Sequence, residues 1–510
     1  MKIQSRVLLA GLLAACVVSA NAQTKPAAPA ANAEAARPAD ALTQKAETLT
    51  LEQIGESKDI GGLTKLSEVY NSIGDVPRFT RTVQRLTELL PDSGQLKLQL
   101  AMIYASQKDK TNAYDVLVHM QGQGYGYDLS KEPRFEPIHG TKVWDYVVAN
   151  MQANAKQFGE GKVAFEMPKG DFLFESIGYD PARKQFLVGS AREGKVLLVD
   201  EKGKISDFIA PNAENGLWGV FDLAVDAAHD KVYLASSDVA YYKAFDSAQF
   251  GQTGIFEFQL STGKFLHKYV LAEAGKVHTL TSITVGKDGR VYAADASRRR
   301  IFRIDHDQIS VLVENPKMTS IRGLAVSDDG RTLYMADYAL GIFGIDLTKT
   351  APFALSRNPE KLVLGGIDGL YYYDGCLIII ENGMVPQRVM RLKLSADGRS
   401  VVAAMPLDVA QPAFTTPTVG AIAGNDIYFI ANSQKGLYDK LGVLKDSDAL
   451  QATRIFRSNL RFAWDQTGIS TGVQELKKAS GVPLPPSPPS PLKPVDKPVD
   501  KPEDADSGGH

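Results

Sequence analysis

Five positions along the chain carry residue types that could do chemistry together: Glu175, Asp222 beside Phe221, Ser282 beside Thr281, Arg322 and Asp368. Each stands at the threshold of a short apolar run, and a sixth such threshold lies near Thr418 and Val419. If these thresholds meet in space, two or three carboxylates face one another there. Their mutual repulsion must be relieved either by a hard cation with oxygen ligands or by a basic side chain. Arg322 is such a side chain, always charged and able to bridge carboxylates bidentately. His278, four residues before Ser282, is the one histidine near the set and is a candidate general base. The seven histidines show no zinc-ligand spacing.

The thresholds belong to a repeat. In Arg322-Gly-Leu-Ala-Val-Ser-Asp-Asp-Gly330 a small-residue strand ends in a turn, Leu333-Tyr-Met-Ala-Asp337 follows, and Ile342-Phe-Gly-Ile-Asp346 alternates behind it. Six copies recur. Their first strands are expected to begin near Ile177, Leu223, Ile283, Leu324, Leu370 and Gly420. Second strands are expected at 186–190, 232–236, 291–295, 333–337, 377–381 and 427–431. A β-sandwich does not need six similar units, whereas a six-bladed β-propeller does, because it protects its strand edges by radial repetition. Lys162–Met167, ahead of the first unit, is free to complete the last one and close the ring.

Phe174-Glu-Ser-Ile-Gly-Tyr-Asp-Pro181, Arg322–Gly330 and Ile367-Asp-Gly-Leu370 resemble strand starts of the gluconolactonase and regucalcin family of six-bladed propellers, in a style shared with NHL-type propellers. The resemblance covers about 163–460. It implies a divalent-metal lactone or ester hydrolase with calcium or a related ion in the central channel, and Glu175 and Asp368 match that family's metal carboxylates. Arg322 stands where the family keeps a neutral Asn. Two mechanisms therefore remain open. In one, a metal held by Glu175, Asp368 and oxygens of Asp222 or Ser282 polarises a lactone carbonyl and activates water, with Asp368 and His278 as the catalytic pair. In the other, Arg322 closes the metal site, and the chain is a non-catalytic scaffold that binds a small molecule or a partner.

The remainder of the chain frames this unit. Residues 1–22 read as an export signal, with basic Lys2 and Arg6 and an apolar run. Cleavage is expected after Ala22, or else Leu13-Ala-Ala-Cys16 resembles a lipobox that would leave Cys16 acylated. Either route places the protein in the periplasm or cell envelope, with a membrane attachment only if Cys16 is lipidated. Residues 23–40 are an Ala/Pro-rich linker and 463–510 a Pro-rich tail without the means to build a core. Across 41–158 the period turns helical. Leu66, Val69, Tyr70 and Asp75 recur as Leu100, Ile103, Tyr104 and Asp109, a spacing that resembles the tetratricopeptide repeat and implies packing on the propeller or docking of a protein partner. The second cysteine, Cys376, sits among aliphatic residues and reads as a buried thiol, and a net charge of −2 gives no reason to expect nucleic acid. Tyr371-Tyr-Tyr373 reads as strand packing and Arg298-Arg-Arg300 as a solvated turn.

Overall fold

The computed structural model describes residues 46–464 apart from 248, 249, 272, 274, 275 and 358–360. The segments expected to be an export signal and a linker, and the expected tail beyond residue 464, lie outside the described residues.

Helices come first: α1 (Leu51–Glu56), α2 (Ile60–Ile73), α3 (Val76–Leu89), α4 (Gly94–Ser106), α5 (Lys110–Gly122) and α6 (Lys142–Asn154). Their starts are written in side chains, since Thr50, Asp59, Asp75, Ser93, Asp109 and Thr141 each accept a hydrogen bond from an amide of the first turn. Ile60 and Gly94 open one helix of each pair, Val76 and Lys110 the other, so the second pair repeats the first 34 residues on. Among the described residues no helix is long and apolar enough to cross a membrane.

From Lys162 onward the described strands form six sheets, each antiparallel apart from one short parallel addition. The innermost strands are Phe174–Asp180, Gly219–Asp226, Leu280–Val285, Ile321–Val326, Ile367–Tyr373 and Gly420–Ala423. Successive inner strands contact one another, and the Gly420 amide donates to the Tyr371 hydroxyl between blades five and six. The molecule is a six-bladed propeller. Lys162–Met167 pairs with Thr453–Asn459 as the outer strand of blade six, so the chain closes its own ring. Phe165 and Met167 from this strand lie buried against Phe186 of blade one and Ile455 of blade six, which makes the closure hydrophobic as well as hydrogen-bonded.

Blade five gains a strand the sequence pattern did not announce, Ser356–Arg357, running parallel to Ser400–Val409. It belongs to the segment that holds the helical region. Asp92, between α3 and α4, is almost wholly buried; its Oδ1 meets Arg357 Nη1 at 2.7 Å and its Oδ2 accepts from the Leu364 amide. Val363 and Met384 of the propeller join the core of α4, α5 and α6, and the Gly126 amide donates to Val385 O at 2.7 Å. The helices are thus packed on blade five.

Candidate functional site

Each of the first five inner strands slips register once, near its start, opposite its neighbour in the same blade. The slips fall between Phe174 and Ser176, Val220 and Asp222, Leu280 and Ser282, Ile321 and Gly323, and Ile367 and Gly369. A bulge leaves one residue unpaired and re-aims it. The five bulged residues are Glu175, Phe221, Thr281, Arg322 and Asp368, one from each blade. This ring was read from the sequence as lying just before the strands. It lies inside them, because each strand begins before its bulge, by one residue in four blades and by two in blade two.

The slips resolve the two pairs read from the sequence: of Phe221-Asp222 and Thr281-Ser282, Phe221 and Thr281 are the members that share the ring with Glu175, Arg322 and Asp368. Asp222 and Ser282 stand one step further in, where with Arg322, Asp368 and Tyr371 they line a channel cavity of about 230 Å³. Asp222 leans toward blade three: its Oδ1 accepts from the Leu223 amide at 2.9 Å and its Oδ2 from the Ile283 amide at 2.8 Å. Burial pushes its carboxyl up to about 7, against the opposing pull of those amides and the Ser282 hydroxyl.

His278 takes a different place from the one expected of a general base. It is buried, with Nδ1 on Asp295 Oδ2 at 2.6 Å and its ring near Phe302, outside the channel lining. Asp295 ends the second strand of blade three and also accepts from the Thr279 amide. Asp337 does the same service in blade four for Thr319 and Ser320. His278 is therefore part of the carboxylate staple that holds a blade's entry loop to its second strand.

At the mouth the charges assort as follows. Asp368 Oδ2 accepts from Asn382 Nδ2 at 2.6 Å, and Asn382 Oδ1 accepts from the Tyr338 hydroxyl at 3.1 Å. The loops carrying Asp368 and Asn382 touch through glycine: a Cβ on Gly383 would lie 2.5 Å from the Gly366 Cα. Arg322 Nε donates to Ser320 Oγ at 3.1 Å, and its guanidinium lies 5.9 Å from the Tyr338 ring centre. Glu175 Oε1 accepts from Ser433 Oγ. Burial raises the Glu175 carboxyl above its ordinary range, while Lys435 and Ser433 act to lower it.

Lys435 was not anticipated. It comes from the long connection between the second and third strands of blade six, at the head of a short 3₁₀ turn, Lys435–Leu437. Its Nζ lies 5.5 Å from the Tyr241 ring centre and 6.0 Å from that of Phe221. Burial lowers its pKa, Glu175 raises it and Arg322 lowers it again. The connection is knotted over the mouth by Arg192, which ion-pairs with Asp171 at 2.7 Å and donates to Tyr241 O of blade two and Gly442 O of blade six. Tyr438 adds its hydroxyl to Asp171 at 2.7 Å. No signal in the repeat could have found Lys435, since it sits in a long insertion outside the strand pattern, matched at the same place only by the 238–252 connection of blade two that carries Tyr241.

The mouth therefore holds two carboxylates and two cations that interact through space. Among the described residues neither Arg322 nor Lys435 makes a direct ion pair with Glu175 or Asp368, and no group of three or more His, Cys, Asp or Glu side chains is gathered as a metal ion would need. These donors do not fit a divalent ion as they stand, because two of the four charges already there repel it.

No protein-family model matches the chain. Solved structures similar to it include a luciferin-regenerating enzyme (13% identity, 59% of this chain and 95% of that one, TM-score 0.41). A gluconolactonase from Xanthomonas campestris matches at 15% identity over 60% of this chain and 92% of its own, TM-score 0.39. A putative oxidoreductase from Thermus thermophilus, described as a glucose dehydrogenase, matches at 14% over 59% and 100%, TM-score 0.38. The names of these three proteins point to different chemistries, and a fold does not carry its function with it.

Proposed function

We propose that the chain is an exported propeller whose channel mouth binds a small, polar, anionic ligand through Arg322 and Lys435. The observation that carries this reading is the pairing of those two cations, neither bound directly to a carboxylate, across a mouth walled by Phe221, Tyr241 and Tyr338. A carboxylate entering there gains a bidentate guanidinium and an ammonium in surroundings where water competes poorly. Asp368 with Asn382, Glu175 with Ser433, and Thr281 supply acceptors and donors for hydroxyl groups. Calorimetry with a polyhydroxy carboxylate such as gluconate, and with its uncharged lactone, tests this. Binding of the acid that weakens at least about tenfold in Arg322→Met supports the reading; equal binding of acid and lactone, or none of either, overturns it.

A lactone or ester hydrolase working through calcium is the alternative, favoured by Glu175 and Asp368 matching the metal carboxylates that the gluconolactonase resemblance implies. Lactone turnover that rises with added calcium and disappears with a chelator would decide for it. The helical pairs keep their tetratricopeptide-like reading within the proposal, as an arm that docks a protein partner while resting on blade five. Photo-crosslinkers at the exposed positions Ile73 and Val118 test the arm. Discrete adducts with one envelope protein support it, and none would leave the helices a packing element only.

A further inference from the structure

We propose that Lys435 is a nucleophilic amine that captures small oxo-acids, carbonyl compounds bearing a carboxylate, as an imine at the channel mouth. The inference rests on the anion-binding reading above and adds a covalent step to it.

Three features of the site carry it. First, among the described residues the Lys435 Nζ makes no hydrogen bond and no direct ion pair, while its own backbone amide donates to Ser433 Oγ and the 3₁₀ turn fixes the stem. Lys97, the other lysine whose pKa burial lowers, differs: its Nζ donates to Gln123 at 2.7 Å. Second, the rings of Tyr241 and Phe221 wall the amine, which leaves it poorly hydrated while the residue as a whole is only half-buried. An amine held in apolar walls beside another cation loses its proton more readily, and the free base is the nucleophile. Glu175 and Asp368 oppose that loss and Arg322 and burial favour it, with the net direction downward. Third, Arg322 is the natural partner for the carboxylate of an oxo-acid, and so presents the neighbouring carbonyl carbon to the amine.

The step balances without a co-reactant. The nitrogen lone pair forms a bond to the carbonyl carbon, and the C–O double bond opens. The two amine hydrogens then leave with that oxygen as water, giving C=N–Lys435. Oxidation state does not change.

Incubating the whole protein with glyoxylate and cyanoborohydride at pH 7, then mapping peptides by mass spectrometry, tests this. The reduced adduct should appear on Lys435 about tenfold faster than on any other lysine. Lys435→Arg should remove that fast phase. Arg322→Met should slow modification by glyoxylate far more than by formaldehyde, which has no carboxylate and feels only the loss of the neighbouring charge. Adducts spread over the lysines with Lys435 no faster than the rest would overturn the proposal. If gluconate binds and glyoxylate fails to label Lys435, the covalent step alone falls; if gluconate does not bind either, the anion-binding reading falls with it.

Discussion

At the scale of single residues, burial is the main influence on the ionisation of Glu175, Asp222 and Lys435. Asp222 offers a clear sign. Its folded carboxyl stands near 7, well above the ordinary unfolded value of about 3.9, so between those values the folded chain binds the proton and the unfolded chain does not. Stability contributed by this group is therefore greatest below about pH 4, falls as pH rises through the window, and levels off above about pH 7. Relative to Asp222→Asn, which cannot titrate there, the unaltered protein should lose stability steadily from pH 4 to pH 7 in urea titrations; a constant difference across that range would contradict the burial argument. The pairs Phe221-Asp222 and Thr281-Ser282 were visible in the sequence, but not which member of each is bulged. A bulge adds a residue without altering the hydrophobic pattern that betrays a strand, so composition could not locate it. Lys435 was invisible for another reason, since only its fold through an insertion brings it to Glu175.

The elements were more legible. Second strands expected at 291–295 and 333–337 are found at Val291–Asp295 and Thr332–Asp337, because β-branched and aromatic residues between turn signals leave little freedom in where such a strand lies. The turns between first and second strands are equally plain, and Gly330 and Gly289 take the left-handed conformation their positions require. What the pattern did not show is how the entry loops are held. The fully buried Asp337 accepts from the amides of Thr319, Ser320, Ala339 and Leu340. Asp337→Ala leaves several buried donors unsatisfied and should cost on the order of 3 kcal/mol, read as a lowered urea midpoint. Because Arg322 follows this loop, the same variant should also weaken carboxylate binding. Gly383→Ala should act similarly through the other wall, where its methyl group meets Gly366 and separates Asn382 from Asp368. An unchanged affinity in both variants would show that the loops do not position the mouth.

At the scale of the whole molecule, a ring closed by its own first strand brings together residues hundreds of positions apart, and that closure was legible because Lys162–Met167 had no other blade to join. Removing residues up to Met167 should leave blade six an edge, and hydrogen exchange should then be fastest in 420–459; protection there equal to that of blade three would argue against closure by this strand. Likewise, Asp92→Ala removes the partner of Arg357 and should free the helical region to proteolysis ahead of the propeller. The ring also sets the balance of charge at the mouth, which is the centre of this account: Arg322 and Lys435 occupy, in charge, the place a divalent ion would take. The most direct test is a calcium titration by calorimetry of the unaltered protein, Arg322→Asn and the double variant with Lys435→Met. Calcium should bind weakly to the first and progressively tighter to the other two, with a calcium-dependent rise in melting temperature appearing only in the variants. Tight calcium binding by the unaltered protein, unchanged in Arg322→Asn, would contradict it.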